Sequence, residues 1–403
     1  MIIRARAVVT MNGEPLANGA VAIEGNRITA VGPWPEVRAA NGGEVIDLGE
    51  RALLPGLINA HCHLDYTLLR GAIAPQPSFT AWIQAINARK AALSADDYVR
   101  SIAAGLAEAA EFGTTTIANL EAFPELADKA YATRMRIWRF AEMIDVRAPV
   151  DPATVLEKLE KSLRLPGGAG LAPHAPFTAS KKLYAETALL AAQGNFPATT
   201  HLAESVEEME MFRAGSGALF DFMKSIGRPM EDCGQSTPLG LMLRSGVLDE
   251  RWIVVHLNEL APGDFELLAR APRFHVVHCP RSHAYFGHAP FAWQKLRALG
   301  FNIALGTDSL ASNHDLSLFS EMRHLSETEP SLRADEILAM ATVNAAAALG
   351  EGATLGRIRV GCVADLIAVS FSGGIEETAE EIISFSGTTP WRMVEGLPGF
   401  TNE

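Results

Sequence analysis

Eight short apolar runs recur through the middle of the chain, each followed by a stretch with helical patterning. This alternation limits the fold more than any other feature. The runs are LLPGLINAHCH, TTTIANL, RMRIWRFAEMI, GLAPHAPF, PATTHLAES, WIVVHLNEL, FHVVHCPRS and NIALGTDS. Strands that alternate with helices pair in parallel, because each helix carries the chain back to the start of the next strand. Eight such units are the number that closes a (β/α)8 TIM barrel. One intervening segment, SADDYVRSIAAGLAEAAEFG, opens with Ser94 and Asp97 in capping-box spacing and stops at Gly113, so both helix ends are specified. The connection after the fifth run, roughly residues 204 to 250, is unusually long and is expected to add a helix and a loop over the barrel mouth.

The ends of the chain read differently. IIRARAVVTM, GAVAIEGNRITAVG and GEVIDLG are short β-branched segments between Gly and Asn-Gly turns, and GRIRVGCVADLIAVSF reads as two strands around Gly361. Two β-rich ends around a different middle predict a small sheet domain drawn from residues 1–54 and 352–403, beside a barrel over 55–351.

The net charge of −13 argues against a nucleic-acid or anionic-membrane partner, since phosphate binding needs a basic surface. No window reaches the roughly 18 uninterrupted apolar residues of a membrane span, and MIIRARAVVTMNG lacks the apolar core of a signal peptide. The four cysteines, Cys62, Cys233, Cys279 and Cys362, are far apart and form no C-x-x-C, which favours a reducing compartment over a disulfide framework. The expectation is a cytoplasmic protein that acts on a small molecule.

The histidines and acids carry the chemistry. His61, His63, His174, His201, His256, His278 and Asp308 each end a predicted barrel strand, and the C-terminal strand ends of this fold converge on the active site. A lone histidine closing an apolar strand is usually a hydrogen-bonded core residue. His61 and His63, two residues apart, point to one face of their strand. His201 in THLAES adds a third imidazole and Asp308 in LGTDS a hard oxygen. Three imidazoles and a carboxylate, with room left for water, suit one catalytic divalent ion, zinc with iron(II) as the alternative. Glu204, three residues after His201, either opens the next helix or shuttles protons beside the metal.

These residues together resemble the amidohydrolase superfamily. HCH matches its strand-one H-x-H, HLAES the H-x-x-E of its deaminases, VVHLNEL its strand-six histidine and LGTDSLASN its strand-eight aspartate motif. LPGLINAHCHLDYTLLRG and GCVADLIAVS match its flanking signatures. The resemblance implies a β-sandwich for the small domain and leaves a homodimer open. It also implies metal ligation by His61, His63, His201 and Asp308, proton transfer by Glu204, a water-orienting His256, and help from Asp308 in moving a proton to departing ammonia. The strand-four segment APHAPFTAS is similar to that of S-adenosylhomocysteine and 5′-methylthioadenosine deaminases, which implies substrate contact by His174. FTAWIQAINARK, HLAESVEEMEMF and HCPRSH look nearer to the aminodeoxyfutalosine deaminases of menaquinone biosynthesis.

Two departures bear on the substrate. Binuclear members bridge two metals with a strand-four lysine, whereas GLAPHAPF has none before Lys181, so one metal is expected. The adenosine-derivative deaminases commonly carry a glutamate after the strand-one loop to grip ribose hydroxyls, and AINARKAAL has no carboxylate. For a substrate carboxylate such as a benzoate, the candidate clamps are an arginine of RMRIWRF, with Arg136 in front of Arg134 and Arg139, and Arg281 of HCPRSH. Ser309 and Asn313 either fix the loop after strand eight or touch substrate. The function expected is therefore hydrolytic deamination of a purine-type ring, with a 5′-modified adenosine such as aminodeoxyfutalosine in front. Guanine, cytosine and triazine aminohydrolases or chlorohydrolases share the same metal site and are the alternative. A catalytically dead scaffold barrel would have eroded ligands, and here all are in place.

Overall fold

The computed structural model describes residues 1–126, 129, 133–161 and 166–399. The end of the predicted 352–403 segment, residues 400–403, lies outside them. Five strands come first: β1 (Ile2–Val8), β2 (Leu16–Glu24), β3 (Arg27–Pro33), β4 (Val45–Asp47) and β5 (Arg51–Pro55). The next eight are the barrel, β6 (Leu57–Cys62), β7 (Thr114–Glu121), β8 (Arg136–Met143), β9 (Gly167–Pro173), β10 (Ala198–Leu202), β11 (Trp252–His256), β12 (His275–His278) and β13 (Asn302–Leu305). The last three are β14 (Leu366–Ser370), β15 (Trp391–Val394) and β16 (Leu397–Gly399).

All eight apolar runs became parallel strands in sequential order from β6 to β13. Their interior is filled by Ile58, Ala118, Phe140, Ala172, Ile253 and Val277, from six of the eight strands, the packed core expected of this barrel. The Thr307 and Asp308 amides both donate to the His61 carbonyl, at 3.0 and 3.2 Å, joining the end of β13 back to β6. The terminal strands form a second sheet in the order β16-β15-β14-β5-β1-β2-β3, with β4 also on β1. The antiparallel pairing of β14 with β5 unites the two ends of the chain in one β-rich unit.

The helix over Ala95–Glu111 has the reciprocal cap that Ser94 and Asp97 promise. Two expectations need correction. GRIRV is a loop, not a strand, because Gly361 turns at φ +89° and only Val363 bridges to Arg27. The excursion after β10 holds three short helices, Val206–Ala214, Ala218–Ser225 and Pro238–Ser245. The middle one packs over the barrel mouth against the helix Phe79–Lys90, through Phe79, Phe222 and Met223. Glu207 holds that second helix in place. Its carboxylate accepts the Phe79 and Thr80 amides at 2.9 and 3.0 Å, capping the N-terminus from a different element. No described helix is long and apolar enough to cross a membrane.

Candidate metal centre and active site

His61 lies on β6, His63 just beyond it, and His201 on β10, and one ring nitrogen from each lies within 4.8 Å of the others. Nε2 of His63 and Nε2 of His201 are 3.2 Å apart. Asp308 approaches from the end of β13, with Oδ1 3.6 Å from His61 Nε2 and 3.7 Å from His63 Nε2. Atoms bonded at about 2.1 Å to one tetrahedral centre lie about 3.4 Å apart, so these spacings fit a single divalent cation.

Hydrogen bonding supports the same fit. His201 Nδ1 sits 2.8 Å from the His174 carbonyl. A carbonyl can only accept, so Nδ1 carries the proton and Nε2 presents its lone pair to the centre. His61 is fully buried, and among the described residues neither ring nitrogen has a hydrogen-bond partner. Leaving such atoms unpaired is costly, and a cation at Nε2 removes one of the two deficits. Burial first, and then the neighbouring imidazoles, hold His63 well below the usual histidine range, and burial with His61 brings His201 down to about 4. Neutral imidazoles are the form that binds metal.

Two strand ends are bent to reach the centre. His256 closes β11 at φ 76° and Asp308 sits at φ 55°, left-handed conformations that non-glycine residues adopt at local cost. The bend swings His256 toward the mouth, with Nε2 3.6 Å from Glu204 Oε1. Asp308 is fixed by the hydroxyl of Ser282, which donates to Oδ2 at 2.6 Å. Glu204 follows β10, and Asn258 Nδ2 donates to its carbonyl at 3.1 Å. Burial, then the Asp308 and Glu208 carboxylates, push Glu204 well above the usual carboxylate range. The group therefore holds a proton more readily than an exposed carboxylate, next to the cluster of His61, His63, His201 and Asp308.

A cavity of about 520 Å³ opens over these residues, within the size range of small-molecule sites. His63, His201, Glu204, His256 and Asp308 form its floor, with His174 and Ser309 at the side. Phe79, Trp82, Ile86, Phe222 and Ile226 from the two roof helices make an apolar wall. Lys90, Arg147 and Glu142 add charge to the lining.

His174 follows β9, lines the cavity and bonds Thr178 Oγ1 through Nδ1 at 2.7 Å, so it is placed where the sequence puts it. Ser309 also lines the cavity, whereas Asn313 braces the loop through the Thr307 carbonyl and Glu321. Three expectations are corrected. Arg136 begins β8, at the end of the strand away from the mouth, and pairs with Asp365 and Glu395 of the β-rich unit. Arg281 is held by Asp315 at 2.6 Å and does not line the cavity. His278 points out of the barrel, because Val277 takes the inward position, and it packs on Phe291 and Trp293 at 4.2 and 5.0 Å between ring centroids. Arg139 is buried in a bidentate pair with Glu121. The basic residues that do reach the cavity, Lys90 and Arg147, were not singled out from the sequence, and neither were Glu142 or Ser282. The first two lie on a helix end and a loop, where no periodicity marks them. Among the described residues lining the cavity the one lysine is Lys90, at the end of the helix Phe79–Lys90 and not on β9.

Residues 52–394 match the family model described as the amidohydrolase family, and residues 19–43 match a bacterial imidazolonepropionase-like composite domain. A 5-methylthioadenosine/S-adenosylhomocysteine deaminase of Pyrococcus furiosus is 31% identical over 386 residues, covering 92% of this chain and 86% of that protein. An aminodeoxyfutalosine deaminase of Deinococcus radiodurans is 30% identical over 350 residues, covering 78% and 77%. Among solved structures, an adenosine deaminase of Xanthomonas campestris with bound zinc superimposes with a TM-score of 0.85 at 28% identity, over 99% of this chain and 92% of that one.

Proposed function

The chain belongs to the amidohydrolase family, hydrolases of carbon–nitrogen bonds, and on that premise we propose that it deaminates a 5′-modified adenosine, with aminodeoxyfutalosine the favoured substrate. The single observation that carries this reading is the layout of the cavity. The metal-site and proton-transfer residues lie at the floor, an apolar, largely aromatic wall runs above them, and the exposed Arg147 stands at the rim. A purine ring seated on the floor leaves the wall and the rim for a 5′ substituent that is apolar and ends in a carboxylate. The relatives that act on 5-methylthioadenosine, S-adenosylhomocysteine and aminodeoxyfutalosine support this substrate class. A bare guanine, cytosine or triazine ring would leave the wall and the rim without work.

His61, His63, His201 and Asp308 would hold the cation, zinc or iron(II). When bound it lowers the pKa of water to about 7, supplying a nucleophile at neutral pH. Glu204 takes the proton from the attacking water and passes it to the ring nitrogen beside the carbon that bears the amino group. His256, 3.6 Å from that carboxylate, orients the water. Asp308, with Oδ2 already committed to Ser282, uses Oδ1 toward the centre and helps move a proton onto the departing ammonia. His174 reaches the ring from β9. The roof helices exclude bulk water.

Ammonia release across a panel of adenosine derivatives, guanine, cytosine and triazines tests the proposal. Higher kcat/KM for aminodeoxyfutalosine than for 5′-methylthioadenosine is expected, with the free bases well behind. Turnover confined to free bases would overturn it.

A further inference from the structure

Position 142 is a carboxylate with no structural task. On β8, side chains alternate between the two faces. Trp138 and Phe140 belong to the barrel interior, so Glu142, two residues on, takes the last inward position before the strand ends. Its neighbour on β9 is Ala172, two residues before His174, and both Glu142 and His174 line the mouth. Glu142 lines the catalytic cavity. Among the described residues it has no hydrogen-bond or salt-bridge partner. The carboxylate is half-buried and faces the cavity, so it is free to accept hydrogen bonds from a group outside the chain.

The surroundings define what that something is. Lys90, from the last turn of the helix Phe79–Lys90, lines the same cavity with its ammonium 4.5 Å from the centroid of Tyr66. Among the described residues the buried Tyr66 hydroxyl has no partner, while its ring stacks on His63 with centroids 5.6 Å apart. The lining of the cavity therefore offers an acceptor pair from Glu142 and a cationic donor from Lys90. Burial pushes the Glu142 carboxyl up, and the Lys90 charge opposes that and favours the ionised form. Two adjacent hydroxyls can donate to the two oxygens of one carboxylate while accepting from an ammonium.

We propose that Glu142, assisted by Lys90, binds the vicinal 2′,3′-diol of the ribose in this chain. The inference rests on the nucleoside reading above and adds the residue that recognises the sugar. Residues 85–93 offer no carboxylate for that task, and β8 supplies one instead.

The test compares 5′-methylthioadenosine with its 2′,3′-dideoxy counterpart, in the metal-loaded wild type and in Glu142→Ala and Glu142→Gln. A site built to bond hydroxyls rejects the analogue that lacks them, so the wild type is expected to favour the ribose substrate by roughly 100-fold or more in kcat/KM. In Glu142→Ala that ratio falls toward one, and Glu142→Gln, which keeps one acceptor oxygen, lies between. Equal use of both substrates by the wild type overturns the inference without any variant. A wild-type preference that survives in Glu142→Ala also overturns it. In both cases deamination of the nucleoside still stands. Absence of turnover of every adenosine derivative instead removes the nucleoside reading, and this inference with it.

Discussion

The hydroxyl of Ser282 lies 2.6 Å from Oδ2 of Asp308, and this bond leaves Oδ1 as the oxygen that faces His61 and His63. Ser282 comes from the helix that follows β12, so one strand end orients the ligand supplied by the next. Partners of this kind typically change metal affinity 10–100-fold when removed. Ser282→Ala is therefore expected to weaken metal binding by about that factor in a competition titration, with circular dichroism unchanged. Unaltered affinity would mean that Asp308 holds its orientation without Ser282.

Glu204 is expected to act on protons and not on the metal. Glu204→Gln keeps shape and removes basicity, so kcat should fall by about 10²–10⁴, while metal content stays near one ion per chain. Loss of the metal in this variant would show that Glu204 is a ligand. Unchanged turnover would remove it from the mechanism.

Arg147 lines the cavity rim, is exposed and has no ion-pair partner among the described residues. Arg147→Ala is expected to raise KM roughly tenfold for a substrate whose 5′ group carries a carboxylate. The KM for neutral 5′-methylthioadenosine should move by less than about twofold. A parallel rise for both substrates would assign Arg147 to folding of its loop.

Arg136 supports the architecture and does not bind substrate. It is nearly buried between Asp365 and Glu395, at the junction of β8 with the β-rich unit. Removing one member of a buried ion pair leaves charges uncompensated. Arg136→Ala should lower unfolding stability by roughly 3 kcal/mol in a urea titration, with KM unchanged below the transition. A changed KM at unchanged stability would return Arg136 to the site.

The contrast between Arg136 and Glu142 shows what the sequence could and could not reveal. Both lie in RMRIWRFAEMI, six residues apart, at opposite ends of one strand. Parallel barrel strands are buried on both faces and read as apolar runs, so all eight were legible. His61, His63, His201, His256 and Asp308 stood out because polar groups at the ends of such runs are rare. The direction of the strand was also legible, and it puts Glu142 at the catalytic mouth and Arg136 at the far end. Arg136 drew notice because an arginine suits a carboxylate, which is chemistry without position. The bond between Ser282 and Asp308, the cap of Glu207 on the roof helix, and the reach of Arg147 depend on packing between elements distant in sequence. No local pattern encodes them.

One cation held by His61, His63, His201 and Asp308 is the centre of this account. Its most direct test is to strip the protein with a chelator and add zinc in sub-stoichiometric steps, following ammonia release from a 5′-modified adenosine. Activity should be absent at first, rise linearly, and break at one equivalent per chain. Full activity in the stripped protein, or a break at two equivalents, would contradict it.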